Sequence, residues 1–268
     1  MSLPLSTPPP PALLLPPRFI LFAGHMAPVA SIVLMLAPLP TLLTIPGVSS
    51  PDVSQPSLTI ASLPLLPYTC MLLNSSLWTL YGLLLADPPI ITCNAIGVIL
   101  SSLFLTIFVQ KSGGLKQPEK HSLPLSSASP THAPPPTFLA RRDLPSTPAA
   151  HFKLSTFVLS LGFLLFLTSS RHLLGLLANV VCLALFVSPL SKLAQIVRAG
   201  YAPPGSIPVP FALAQALNCF MWSVHGVCTL DDAAVWVPNV LGLAAAVAQA
   251  GVSFYYGGSA RACKVASM

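Results

Sequence analysis

At 268 residues, 54% hydrophobic and 7% charged, the chain lacks the surface charge of a water-soluble protein, which carries about 25% Asp, Glu, Lys and Arg. Its 12 Lys and Arg residues are scattered rather than gathered on a polar face, so a net charge of +6 excludes a basic nucleic-acid-binding domain and no nucleic acid is expected as a partner. The 31 prolines do not imply disorder, which needs low hydrophobicity; this is the composition of an integral membrane protein.

In chain order, residues 1–23 form a Pro-rich tail without the cationic start of a secretory signal. The sparse charges then act as punctuation. A transmembrane helix needs about 20 mainly apolar residues, and the windows between charges supply seven: 24–45, 62–84, 89–110, 154–170, 173–195, 207–228 and 234–256. None alternates polar and apolar residues at period two, which argues against a barrel. Between the third and fourth spans, residues 111–153 carry many prolines and serines and half of the basic residues, and read as a flexible tether. A short tail, 257–268, follows the last span. The six cysteines have no metal-ligand spacing and read as small buried hydrophobes, so no metal or other cofactor is expected. Asn74-Ser75-Ser76 matches a glycosylation sequon but lies inside a span.

Seven spans put the termini on opposite sides, and the positive-inside rule chooses between them. With the N-terminus outside, ten lysines and arginines are cytoplasmic and only Arg18 and Arg171 are external. Asp87, Asp231 and Asp232 then lie at the outer face.

The chain also repeats itself. Gly24 precedes Pro38 by the same interval as Gly175 precedes Pro189. Leu73-Asn74-Ser75-Ser76-Leu77-Trp78 is echoed by Leu217-Asn218-Cys219-Phe220-Met221-Trp222, and Tyr81-Gly82 by His225-Gly226. Asp87 comes seven residues before Asn94, and Asp232 seven before Asn239; Gly97 and Gly242 follow the two asparagines by three. The matches recur in order, so the fold is two three-helix units, 24–110 and 173–256, separated by the tether and one extra helix (154–172). One spacer helix makes the units parallel rather than inverted, and substrate sites of such repeats lie near mid-depth on their common axis.

These residues resemble the SWEET (MtN3/saliva) sugar transporters. The likeness rests on Ala-Pro-Leu-Pro-Thr at 37–41, Leu-Pro-Tyr at 66–68, Leu-Trp-Thr-Leu-Tyr-Gly at 77–82, Ser-Pro-Leu at 188–190, Ile-Pro at 207–208 and Pro-Asn-Val-Leu-Gly at 238–242. It implies an all-α membrane protein of seven helices in a 3+1+3 arrangement. It also implies that Asn94, Asn239, Trp78 and Trp222 hold a sugar: amides match hydroxyls that both donate and accept, and indole faces cover the C–H face of a ring. The competing readings are interhelical hydrogen bonds for the asparagines and interfacial anchors for the tryptophans. Pro38, Pro67, Pro189 and Pro208 match the family's hinge prolines, against passive helix curvature. Tyr81 and Asp231 match its outer gate, against interfacial anchoring. His225 stands where a tyrosine is expected; a solvated histidine there makes pH-sensitive gating an expectation.

No Asp, Glu, Lys or Arg falls in the central part of a span, which argues against ion coupling and against an ionic substrate. No nucleophile–base pair is apparent either, so the protein is not expected to be an enzyme. The expectation is facilitative, uncoupled and bidirectional transport of a mono- or disaccharide by alternating access in the lipid bilayer, with the plasma membrane as the family default and a homo-oligomer possible in principle. The alternatives are a non-transporting seven-helix receptor or adaptor and a carrier of another small neutral metabolite.

Overall fold

The computed structural model describes residues 15–45, 65–112, 148–201 and 209–266, with the side chains of 148, 186–189 and 257–266 outside the description. Among the described residues every regular element is helical: α1 (Pro17–Leu36), α2 (Leu39–Thr44), α3 (Leu66–Leu85), α4 (Pro88–Lys111), α5 (Pro148–Leu167), α6 (Arg171–Ala199), α7 (Val209–His225) and α8 (Ala233–Ala266). A π-helical turn, Gly226–Leu230, continues α7. The predicted span 24–45 begins earlier, at Pro17, and is broken rather than continuous. Pro38 lacks the N–H needed to carry the α1 ladder onward, and it caps α2 instead. Counting α1 and α2 as one crossing gives seven membrane helices in the order three, one, three. Most of the 111–153 tether, the N-terminal tail to residue 14 and Pro208 lie outside the described residues.

Six of the crossings are apolar enough to span a membrane by composition. The seventh, α3, is as long as α1 but carries Asn74, Ser75, Ser76, Tyr81 and Trp78. It tolerates them because α4, α5 and α6 surround it, and Ser75, Leu77, Tyr81 and Trp78 are among its buried residues. Polar groups at membrane depth survive only where protein or an internal cavity receives them.

The two units interleave: α1 packs on α7, and α3 packs on α6. Small residues permit the close crossings, with Ala23, Ala27 and Ala178 fully buried in the shared core beside Leu77, Tyr81 and Leu174. Within the first unit α3 and α4 touch almost backbone to backbone. A Cβ on Gly97 would lie 2.4 Å from Ser75 Oγ and 3.0 Å from Met35.

A second, smaller core ties α2 to α4 at the opposite end from the Asp87 turn. Leu42, Ile45, Phe104 and Phe108 are buried there, with Tyr68 edge-on to Phe104 at 6.4 Å. Lys111 Nζ donates to the carbonyls of Leu42, Leu43 and Ile45 at 2.7, 2.8 and 3.0 Å. It thereby supplies donors for carbonyls at and just beyond the end of α2. Lys111→Met is expected to cost about 1–3 kcal/mol, read as a lower melting temperature in detergent. An unchanged melt would show that α2 is held by its apolar contacts alone.

Candidate functional site

A cavity of about 390 Å³ lies between the two units, and Trp78, Trp222, Asn94 and Asn239 all line it. The four residues singled out from the repeat thus share one space. Each asparagine is oriented by its own helix: Asn94 Nδ2 donates to Ile90 O at 2.9 Å, and Asn239 Nδ2 to Val235 O at 2.7 Å. With one N–H turned back one helical turn, each amide keeps its second N–H as a donor and its carbonyl oxygen as an acceptor. Trp222 Nε1 donates to Ser31 Oγ, which donates to Asn218 Oδ1, both at 2.8 Å. On the first-repeat side Asn74 Oδ1 and Ser75 Oγ are buried without a partner among the described residues, and both residues line the cavity. Ser31, Asn74 and Asn218 are site residues that sequence reading left out. The signal existed for two of them, since Asn74 and Asn218 stand four residues before the paired tryptophans. Pro38 and Pro67 line the same cavity. Pro189 falls within α6, where its side chain is outside the description, and Pro208 lies outside the described residues altogether.

At the end of the cavity beyond the tryptophans, two hydrogen-bonded pairs cross between the units. Tyr81 Oη donates to Asp232 Oδ2 at 2.8 Å, and Arg171 Nη2 reaches the same oxygen. His225 Nε2 lies 3.1 Å from Asp87 Oδ2. These pairs are reciprocal: an aromatic residue three places after each tryptophan meets an aspartate seven places before the other unit's asparagine. The glycines obey the same exchange. A Cβ on Gly175 would meet the Tyr81 ring at 2.9 Å, and one on Gly24 would meet the His225 ring at 3.0 Å.

Two expectations are corrected here. Asp231 is exposed and is not the partner of Tyr81; Asp232, only 5% exposed, is. The cause is a one-residue insertion. Asp87 N bonds Gly82 O five residues back, whereas Asp232 N bonds Gly226 O six back, and the extra residue is absorbed by the π turn. Asp231 takes the left-handed position (φ 48) that Ala86 (φ 51) takes in the first unit, turning its side chain away. His225, likewise, is not solvated: it is 3% exposed, packed edge-on to Trp222 and against Gly24.

Two three-helix units clasping one polar-aromatic cavity, closed at one end by exchanged hydrogen bonds, define a membrane protein built on a duplicated three-helix unit. Comparison with known proteins places it more closely. A family model described as "Sugar efflux transporter for intercellular exchange" (MtN3_slv) matches residues 22–112 and 172–260, and the chain belongs to this SWEET family. It is 26% identical over 203 residues to the "Sugar transporter SWEET1" of Rattus norvegicus, covering 74% of this chain and 77% of that one. It is 26% identical over 230 residues to the "Bidirectional sugar transporter SWEET12" of Oryza sativa subsp. japonica, covering 84% of this chain and 64% of the relative. Among solved structures, "The 3.7 A resolution structure of a eukaryotic SWEET transporter" superposes with a TM-score of 0.60 at 18% identity, over 89% of this chain and 97% of that one. That likeness bears on the fold.

Proposed function

We propose that this protein moves a neutral sugar down its gradient by uncoupled, bidirectional alternating access, without acting as an enzyme. The observation that carries the reading is the convergence of two repeat-matched pairs, Trp78 with Asn94 and Trp222 with Asn239, on one cavity whose described lining includes no Asp, Glu, Lys or Arg. The indoles cover a ring's C–H faces, and the amide oxygens accept from its hydroxyls. Family membership and relatives named as sugar transporters support the substrate class; the name of the rice relative supports bidirectionality. Pro38, Pro67, Pro189 and Pro208 act as hinges. Tyr81 and His225, with Asp232 and Asp87, form the extracellular gate, the N-terminus being outside, the C-terminus cytoplasmic and the membrane the plasma membrane. Uptake of a radiolabelled panel of hexoses and sucrose in transport-deficient cells tests the reading. No uptake of any member by a surface-expressed protein would refute it.

The His225 half of the gate is tested by substitution. His225→Phe keeps a ring beside Trp222 and removes the hydrogen bond to Asp87 Oδ2. It is expected to change uptake about fivefold or more, the effect of one lost buried hydrogen bond on the balance between shut and open outer states. Unchanged uptake by a well-expressed variant removes His225 from the gate.

A further inference from the structure

The exchange that sets Gly24 against His225 and Gly175 against Tyr81 relates the packing of α1 on α7 to that of α6 on α3. It gives each residue of α1 that meets α7 a counterpart on α6. Ser31 stands seven residues after Gly24, and Cys182 stands seven after Gly175. Both line the cavity, as do Asn218 and Trp222 on α7 and Asn74 and Trp78 on α3.

The two sides are bonded differently. Thr79 and Ser223 turn their hydroxyls back to carbonyls of their own helices. Ser31 does not: its Oγ donates to Asn218 Oδ1 and accepts from Trp222 Nε1, both at 2.8 Å. One hydroxyl of the first unit thus fixes an amide and an indole of the second. At the matching place Cys182 offers a thiol, which is a weak donor. Asn74 Oδ1, the counterpart of Asn218 Oδ1, is buried without a partner among the described residues. Leaving a buried acceptor unpaired costs about 1–3 kcal/mol. Sulfur in place of oxygen at residue 182 leaves that acceptor open to a ligand that brings its own O–H.

We propose that Ser31 and Cys182 are opposed positioning residues: Ser31 holds Trp222 and Asn218 as a fixed wall, and Cys182 leaves Asn74 free. One side of the cavity is then set in advance, and the other completes its hydrogen bonding only when the sugar arrives. This rests on the sugar-carrier reading above and adds to it the residues that set affinity from behind the tryptophan and asparagine pairs.

The concentration dependence of radiolabelled glucose uptake, with sucrose in a parallel arm, tests the proposal in transport-deficient cells expressing the full chain. Two substitutions each change a single atom, in opposite directions. Cys182→Ser supplies a donor that competes with the sugar for Asn74 Oδ1. Ser31→Cys withdraws the hydroxyl that fixes Trp222 and Asn218. Each is expected to raise KM about tenfold, the effect of one hydrogen bond, with the maximal rate per surface-expressed molecule within about twofold of wild type. Cys182→Ala supplies no donor and is expected to keep KM within about twofold. An unchanged KM in Cys182→Ser or in Ser31→Cys overturns the proposal. Equal rises in Cys182→Ser and Cys182→Ala also overturn it, because they make residue 182 a matter of packing. The Ser31 variant keeps the test decisive should a residue-182 variant fail to reach the surface. Uptake of neither sugar by the wild type overturns the carrier reading itself.

Discussion

Asn239→Ala is expected to reduce sugar flux to background while the protein reaches the membrane at its normal level. One of the amide's two N–H donors goes to Val235 O, a carbonyl of its own helix at 2.7 Å, so truncation leaves no orphaned partner on another helix. On the proposed reading, what it removes is an acceptor for the sugar in the cavity that Asn94 also lines. Losing hydrogen bonds to a sugar inside a cavity costs about 1–3 kcal/mol, a tenfold to hundredfold loss of affinity. On that reading the change also leaves the sugar held by the asparagine of the first unit alone. Uptake of radiolabelled sugar, normalised to surface expression, measures it. Full flux in a well-expressed variant would remove Asn239 from the site and return it to the role of helix glue.

The second large effect separates two adjacent aspartates. Asp232→Asn is expected to lower flux by at least about tenfold, and Asp231→Asn to leave it near wild type. Asp232 Oδ2 is shared by Tyr81 and Arg171, and its Oδ1 accepts from Ala234 N at 2.9 Å, capping α8. Asparagine can keep the cap but loses the charge that holds Arg171, whose side chain is 45% exposed and so contributes only modestly as an ion pair. The dominant loss is the strong acceptor for the buried phenol, about 1–3 kcal/mol. A tilt of that size moves the balance between shut and open outer states by a factor of ten or more. The same uptake assay decides, and equal losses in the two variants would show that the gate depends on local charge rather than on the Tyr81 bond.

That Trp78, Trp222, Asn94 and Asn239 share one cavity is legible in the order of residues. The duplicated Leu-Asn-x-x-x-Trp and Asp-to-Asn intervals place residues at matched depths of matched helices, so Trp78, Trp222, Asn94 and Asn239 follow from spacing once two parallel units are assumed. The same spacing held the correct aspartate: Asp232, not Asp231, stands seven before Asn239 as Asp87 does before Asn94. The resemblance to the family's gate pointed one residue away, and the local π turn is what resolves the two. Pro38 is a proposed hinge, and the break between α1 and α2 that it makes was not expected from the continuous span 24–45. The neighbouring Pro40 compounds the lost donors, and Lys111, far away in sequence, meets the carbonyls at the end of α2. The chain from Ser31 through Trp222 to Asn218 has no one-dimensional signature, because its members are 187 and 191 residues apart.

Hydropathy, charge placement and internal repetition are properties of the order of residues. They determined seven crossings, two parallel units and a passage without charge. Which side chains actually meet was decided only by tertiary packing, because one residue along a helix is a rotation of about 100°. A single inserted residue in the π turn therefore sends Asp231 outward and Asp232 to Tyr81. The close contacts of Gly24 with His225 and Gly175 with Tyr81 likewise exist only once the two units have interlocked.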